Sequence, residues 1–158
     1  MKHPKSYDST PETRKRMSKI RLKNGTAEKE LAKRLWHLGY RYRKNYKNLP
    51  GSPDVVITKY RIAIFIDGEF WHGKDWEIRK ERLKSNREYW IEKIEENIAR
   101  DKRVDEQLRA TDWTPVHFWS KDVLKNTDSC VSDVVSLIIE NYVKEEAVYP
   151  CDEEDQPN

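Results

Sequence analysis

With 158 residues the chain has the length of one domain, able to bury a core without disulfide staples and too short for a two-domain enzyme. Charged residues make up 37%, apolar ones 36% and aromatics 11%, which describes a compact core under a densely ionic surface and argues against disorder. The net charge of +3 is unevenly spread: residues 1–50 hold fifteen Lys and Arg against four Asp and Glu, so the flank is +11 and the remainder −8, as expected of a basic arm facing a polyanion or of a solvated surface with clustered charge.

The basic start MKHPKSYDSTPETRKR lacks the apolar segment of a secretory signal, so export is not expected. Thr10 and Pro11 have the pattern of an N-cap and first helical residue, predicting a short basic helix that Asn24, Gly25 and Thr26 break. Thr26 then caps a second helix with Glu28 and Glu30 in its first turn and Leu31, Leu35 and Leu38 on its buried stripe, stopped by Gly39. Tyr40–Lys44 alternates aromatic and basic residues as an edge strand does, and 48–53 (NLPGSP) is a loop. Two β-branched runs, 54–58 and 61–67, are joined by Lys59-Tyr60 and predict a hairpin. Its apolar run Ile62–Ile66 is the longest in the chain and far short of the roughly 20 residues of a membrane span, so no membrane partner is expected.

Residues 68–84 lack a sustained period and are predicted to be a functional loop with some helix. Ser85-Asn-Arg-Glu88 has the pattern of a capping box opening a long helix to about Ala110, with Trp90, Ile94, Ile98, Val104 and Leu108 near one face. Val116–Trp119 is a further strand, and Cys130–Val143 a final amphipathic helix. This order predicts an α/β chain, a small mixed sheet flanked by helices. Three segments are expected: a basic arm over 1–22, a central domain over 23–144 and an acidic mobile tail over 145–158. Cys130 and Cys151 cannot build a disulfide framework or a four-cysteine zinc site, and a reducing cytoplasm is the expected compartment.

A tight hairpin places Asp54, Asp67 and Glu69 at one end of the sheet. Clustered carboxylates repel one another, and a hard divalent cation such as Mg²⁺ relieves the repulsion, which points to metal-assisted hydrolysis. The plainer alternative makes Asp54 a turn residue and Asp67-Gly68 a turn joining Phe65 to Phe70. His72, next in the loop, is suited to act as general base or water-positioner. Phe70 and Trp71 are either core or a wedge between base pairs. Glu28 is a helix-start charge unless its helix points at the same sheet end.

The stretches MSKIRLKNGTAEKEL, GYRYRKN, LPGSPDVV, RIAIFIDGEFWHG, NREYWIEKIEENIARD and VHFWS, in this order and spacing, resemble the very-short-patch-repair (Vsr) endonucleases over residues 13–125. The resemblance implies a restriction-endonuclease-like fold and Mg²⁺-dependent nicking of double-stranded DNA at T:G mismatches. It implies that Asp54 is the central metal ligand, that Glu28 and His72 line the active site, and that the carbonyl of Ile66 is a further ligand. Phe70, Trp71 and Trp90 match aromatics that insert beside the mismatch, and the basic helix with Arg14, Lys15, Arg16 and Lys19 matches an arm that embraces DNA.

Three departures stand out. The family's structural zinc ligands fall on Glu69, Lys74, Trp76 and Lys121, so no structural zinc is expected; Trp76 is expected to fill part of that region, leaving Glu69 to join the metal cluster. A histidine of the family falls on Asp67, and the lysine that many nucleases carry two residues after this acid is Glu69. His72 or Lys74 is then left to supply the proton chemistry. The expected function is a monomeric DNA endonuclease, with a restriction-type or other strand-cleaving enzyme of the same fold, or a catalytically weak DNA-binding protein, as alternatives.

Overall fold

The computed structural model describes residues 10–148, apart from the side chains of 17–24 and 148. Helix α1 spans Pro11–His37; Thr10 caps it, its hydroxyl accepting from the Thr13 N–H at 3.3 Å, with Pro11 at the first position. The break expected at Asn24-Gly25-Thr26 does not occur. One helical glycine costs about 1 kcal/mol, and the buried stripe of Ala27, Leu31 and Leu35 that follows offsets it. The helix ends in a Schellman motif: Gly39, at φ +92°, donates to the Trp36 carbonyl at 3.0 Å and Tyr40 to that of Leu35 at 3.1 Å.

The sheet has four strands in the order β1 (Arg43–Lys44), β2 (Val55–Ile57), β3 (Ile62–Asp67) and β4 (Thr114–Trp119). β1, β2 and β3 are antiparallel and β4 is parallel to β3. The expected hairpin forms through a single 3₁₀ turn at Thr58–Tyr60, with Arg61 left-handed at φ 52°. Between β3 and β4 run α2 (Trp76–Glu81) and α3 (Arg87–Ala110), and after β4 come α4 (Ser120–Lys125) and α5 (Thr127–Val148).

Side chains alternate along a strand, so Ile62, Ile64 and Ile66 pack with Val55 and Ile57 against α1, α4 and α5. Ala63 and Phe65 turn to the other face, against Leu108 and Val104 of α3. Asp67 continues this second row, and the alternation thereby carries a carboxylate to the α3 side of the sheet.

Several expected boundaries shift. The capping box at Ser85 does not form; α3 starts after Asn86, left-handed at φ 50°, whose side chain makes no capping bond. The last helix begins at Thr127, not Cys130, because the Asn126 side chain accepts the Ser129 N–H at 3.1 Å and closes its first turn. It runs to Val148, so Glu145–Val148 are helical where a mobile tail was expected. Cys151 lies outside the described residues.

Candidate active site

Antiparallel pairing of β2 with β3 brings Asp54 and Asp67 to one end of the sheet. Asp54 follows the buried Pro53, and its N–H donates to the Ile64 carbonyl at 3.0 Å. Its Oδ2 accepts the Ile66 N–H at 2.7 Å, taking the place of the next rung of the ladder. In an antiparallel ladder the N–H and C=O of one residue face the same neighbour, so the Ile66 carbonyl faces this edge as well. Burial pushes the Asp54 carboxyl up to about 6; the Ile66 N–H opposes that rise, and the negative charges of Glu28 and Asp67 add to it. Glu28, on α1, is therefore close enough to Asp54 for its charge to act on it.

Asp67 sits between two imidazoles. Its Oδ2 lies 2.6 Å from His117 Nδ1, and its Oδ1 lies 3.8 Å from His72 Nδ1. His72 Nδ1 is 2.5 Å from Asp101 Oδ2, and His117 Nε2 is 2.6 Å from Asp105 Oδ1. Ionised carboxylates only accept, so both nitrogens of His117 donate and the ring is a cation. Burial works against that charge, but the bonds to Asp67 and Asp105 prevail and raise its pKa to about 9. His72 is raised in the same way, Asp101 and Asp67 outweighing the effect of burial. Asp67, His72, Arg100, Asp101 and His117 line a cleft of about 340 Å³.

The expected cluster of three carboxylates is corrected at Glu69. This side chain is buried and turns to the start of α4, where its Oε1 accepts the Lys121 N–H at 2.8 Å and the Ser120 hydroxyl lies 3.3 Å from its Oε2. A backbone N–H and a hydroxyl at a helix start attract a carboxylate, whereas the two other carboxylates repel it. Among the described residues no three His, Cys, Asp or Glu side chains form a metal-holding group. Lys74 is drawn elsewhere, its Nζ 3.4 Å from Asp122 Oδ2, so that of the two residues expected to supply proton chemistry only His72 lines the cleft. Three of the four positions matched to zinc ligands are instead joined directly, Lys74 N–H to the Glu69 carbonyl at 2.9 Å and Lys121 N–H to the Glu69 carboxylate, while the fourth, Trp76, is buried with its indole N–H 3.3 Å from Glu95 Oε1.

Phe70, Trp71 and Trp90 form one half-buried group, with ring centroids 5.3 to 5.6 Å apart in edge-to-face pairs. Trp71 is anchored from below by the buried Asn97, whose amide donates to its carbonyl at 3.0 Å. Gly73, at φ +70°, lets the loop lie on α3; a Cβ there would come within 2.5 Å of Ile98 Cδ1. Arg14, Lys15 and Arg16 are exposed on α1, and the side chain of Lys19 lies outside the described residues. On the other side of Asp54, the exposed Arg43 and Lys44 of β1 pair with Val56 and Val55.

Sequence reasoning missed His117, Asp101, Asp105 and Asn97. A signal was present for three of them: Asn97, Asp101 and Asp105 recur every four residues, a polar stripe on a helix flanked by apolar positions. His117 had only its alternation with Val116 and Phe118 to mark it.

A mixed sheet that gathers acids and histidines at the end opposite its hairpin turn, beside a basic helix and an aromatic cluster, is the arrangement of a nuclease with a restriction-endonuclease-like fold. The family described as DNA mismatch endonuclease Vsr matches residues 7–78. The type II nicking enzyme V.HpaIIP of Haemophilus parainfluenzae is 50% identical over 137 residues, 85% of this chain and 97% of that protein. V.NmeDIP of Neisseria meningitidis serogroup C, also a type II nicking enzyme, is 52% identical over 79% of this chain and 85% of its own length. The DNA mismatch endonuclease Vsr of Escherichia coli K12 is 30% identical over 82% of this chain and 81% of its own. The chain belongs to the Vsr family and is an endodeoxyribonuclease. No helix among the described residues is long and apolar enough to cross a membrane.

Proposed function

We propose that this endonuclease nicks one strand of double-stranded DNA at T:G mismatches, with Mg²⁺ held by Asp54, Asp67 and the Ile66 carbonyl. The observation that carries the metal reading is the convergence of Asp54 and Asp67, with Asp54 pushed up to about 6 by burial and by its negative neighbours. Such a site is relieved by positive charge. Hard oxygen donors in a small set suit Mg²⁺, which binds through one or two carboxylates and keeps several waters.

A bound Mg²⁺ supplies charge neutralisation at the phosphate and a more acidic water. The remaining work belongs to the chain. His72, with Nδ1 committed to Asp101, turns proton chemistry over to Nε2. Arg100 brings positive charge to the cleft for a phosphate, and Glu28 adds negative charge around Asp54. Arg14, Lys15, Arg16 and Lys19 on α1 and Arg43 and Lys44 on β1 supply phosphate contacts, which carry affinity without reading sequence.

The mismatch reading draws on the group formed by Phe70, Trp71 and Trp90. Large apolar rings held at the surface can enter a base step, and a mismatched step unstacks at lower cost. The test is a nicking assay on T:G and matched duplexes, with Mg²⁺ and with chelator. Metal-dependent nicking confined to the mismatched strand supports the reading. Equal nicking of both duplexes refutes the mismatch assignment and leaves a nicking enzyme of another specificity; the two relatives near 50% identity are named type II nicking enzymes.

A further inference from the structure

His117 stands apart from the other polar groups of the cleft in having both ring nitrogens taken. Nδ1 is 2.6 Å from Asp67 Oδ2 and Nε2 is 2.6 Å from Asp105 Oδ1. Its ring lies flat on Phe65, with centroids 4.7 Å apart and planes within 9°. Held in plane by the stack and in rotation by two carboxylates, it has no nitrogen left for a substrate. His72, in the same cleft, is held through Nδ1 alone.

The placement follows from the strand. Val116 and Phe118 of β4 pack into the apolar cluster with α1 and α5, so alternation sends His117 to the α3 face. Parallel pairing sets it opposite Phe65, two residues before Asp67. On α3, Asp105 lies one turn beyond Asp101, so one face of the helix holds the two histidines at once.

We propose that His117 is a positioning residue of the nuclease site: braced by Asp105, it pins Oδ2 of Asp67 so that Oδ1 stays turned into the cleft as the cation-facing oxygen. The proposal rests on the metal reading above. Hydrogen bonds to a ligating carboxylate fix its orientation, and loss of such a partner lowers metal affinity by about 10- to 100-fold. Without His117, Asp67 is free to swing toward His72 and compete with Asp101 for Nδ1.

The experiment measures Mn²⁺ binding by calorimetry, and nicking rate against Mn²⁺ concentration, for the full chain and four variants. Melting in chelator reports folding. His117→Ala is expected to weaken Mn²⁺ binding about tenfold or more and to regain rate at high Mn²⁺. His117→Asn, whose amide can donate at the Nδ1 position, restores most of the affinity. His117→Gln, whose amide reaches only the Nε2 position, does not. Asp105→Asn weakens binding in the same direction by less, and serves if the changes at 117 prevent folding. Wild-type affinity in folded His117→Ala and Asp105→Asn, or equal rescue by Asn and Gln, overturns the proposal while leaving the metal reading intact. Failure of the wild-type chain to bind Mn²⁺ overturns both.

Discussion

The Asp54 carboxylate accepts the backbone N–H of Ile66 at 2.7 Å, a bond between a side chain just before β2 and the main chain near the end of β3. This bond lowers the cost of burying a carboxylate without cancelling it, since Asp54 stays raised to about 6. Asn at this position keeps an acceptor for Ile66 and loses the charge. Asp54→Asn is expected to abolish nicking while retaining DNA binding in a gel-shift assay. Because ionised Asp54 is disfavoured in the metal-free fold above pH 6, the variant should also melt higher than wild type at pH 7.5 in chelator. Near-normal nicking by the variant at saturating Mg²⁺ would remove Asp54 from the centre of the site. His72→Ala should lower the rate by about 10²-fold or more, the range for a general acid or base.

His117 gives the metal-free protein a pH-dependent stability of defined sign. Its pKa is raised from 6.5 to about 9 by Asp67 and Asp105 against the effect of burial. A raised folded value means that the stabilisation is complete below pH 6.5 and is lost as pH rises through 9. Urea melts in chelator at pH 6, 7.5 and 9.5 should therefore show stability falling with pH. A curve in His117→Asn as steep as that of wild type would assign the fall to other groups.

Glu69 is expected to matter for the fold rather than the reaction. Its buried carboxylate receives the Lys121 N–H and neighbours the Ser120 hydroxyl, linking the loop after β3 to the start of α4. Hydrogen bonds to charged groups contribute roughly 1.5–3 kcal/mol, and Glu69→Ala should lose about that much by chemical denaturation while still nicking at low temperature. A stable but inactive Glu69→Ala would return this side chain to the metal cluster.

Trp71 is half-buried, and its main packing partners are Phe70 and Trp90. Aromatic pairs of this geometry contribute about 0.5–1.5 kcal/mol each beyond area burial, well below the 3–5 kcal/mol of a core aromatic. Trp71→Ala should melt a few degrees below wild type and lose discrimination between T:G and matched duplexes. A large fall in melting temperature with discrimination intact would make the trio a packing cluster.

Local chemistry determined what was legible in the sequence. Two β-branched runs with a short connection can only fold back on one another, and antiparallel register then carries Asp54 and Asp67 to the same end; Gly39 stops α1 because a left-handed residue is required there. The periodicity of α3 likewise reported Ile94 and Leu108 as buried. What only the tertiary structure decided were contacts between elements far apart in the chain. The continuity of α1 across Gly25 depends on the buried face that follows it. The pairing of His117 with Asp67 depends on β4 lying parallel to β3, and the roles of Asp101 and Asp105 on the angle at which α3 crosses that sheet. Glu69 was drawn from the acid cluster by the Lys121 N–H and the Ser120 hydroxyl, at the start of a helix about fifty residues away. A carboxylate's partner is chosen by whichever donor the fold brings within about 3 Å, and no periodicity along the chain records that distance.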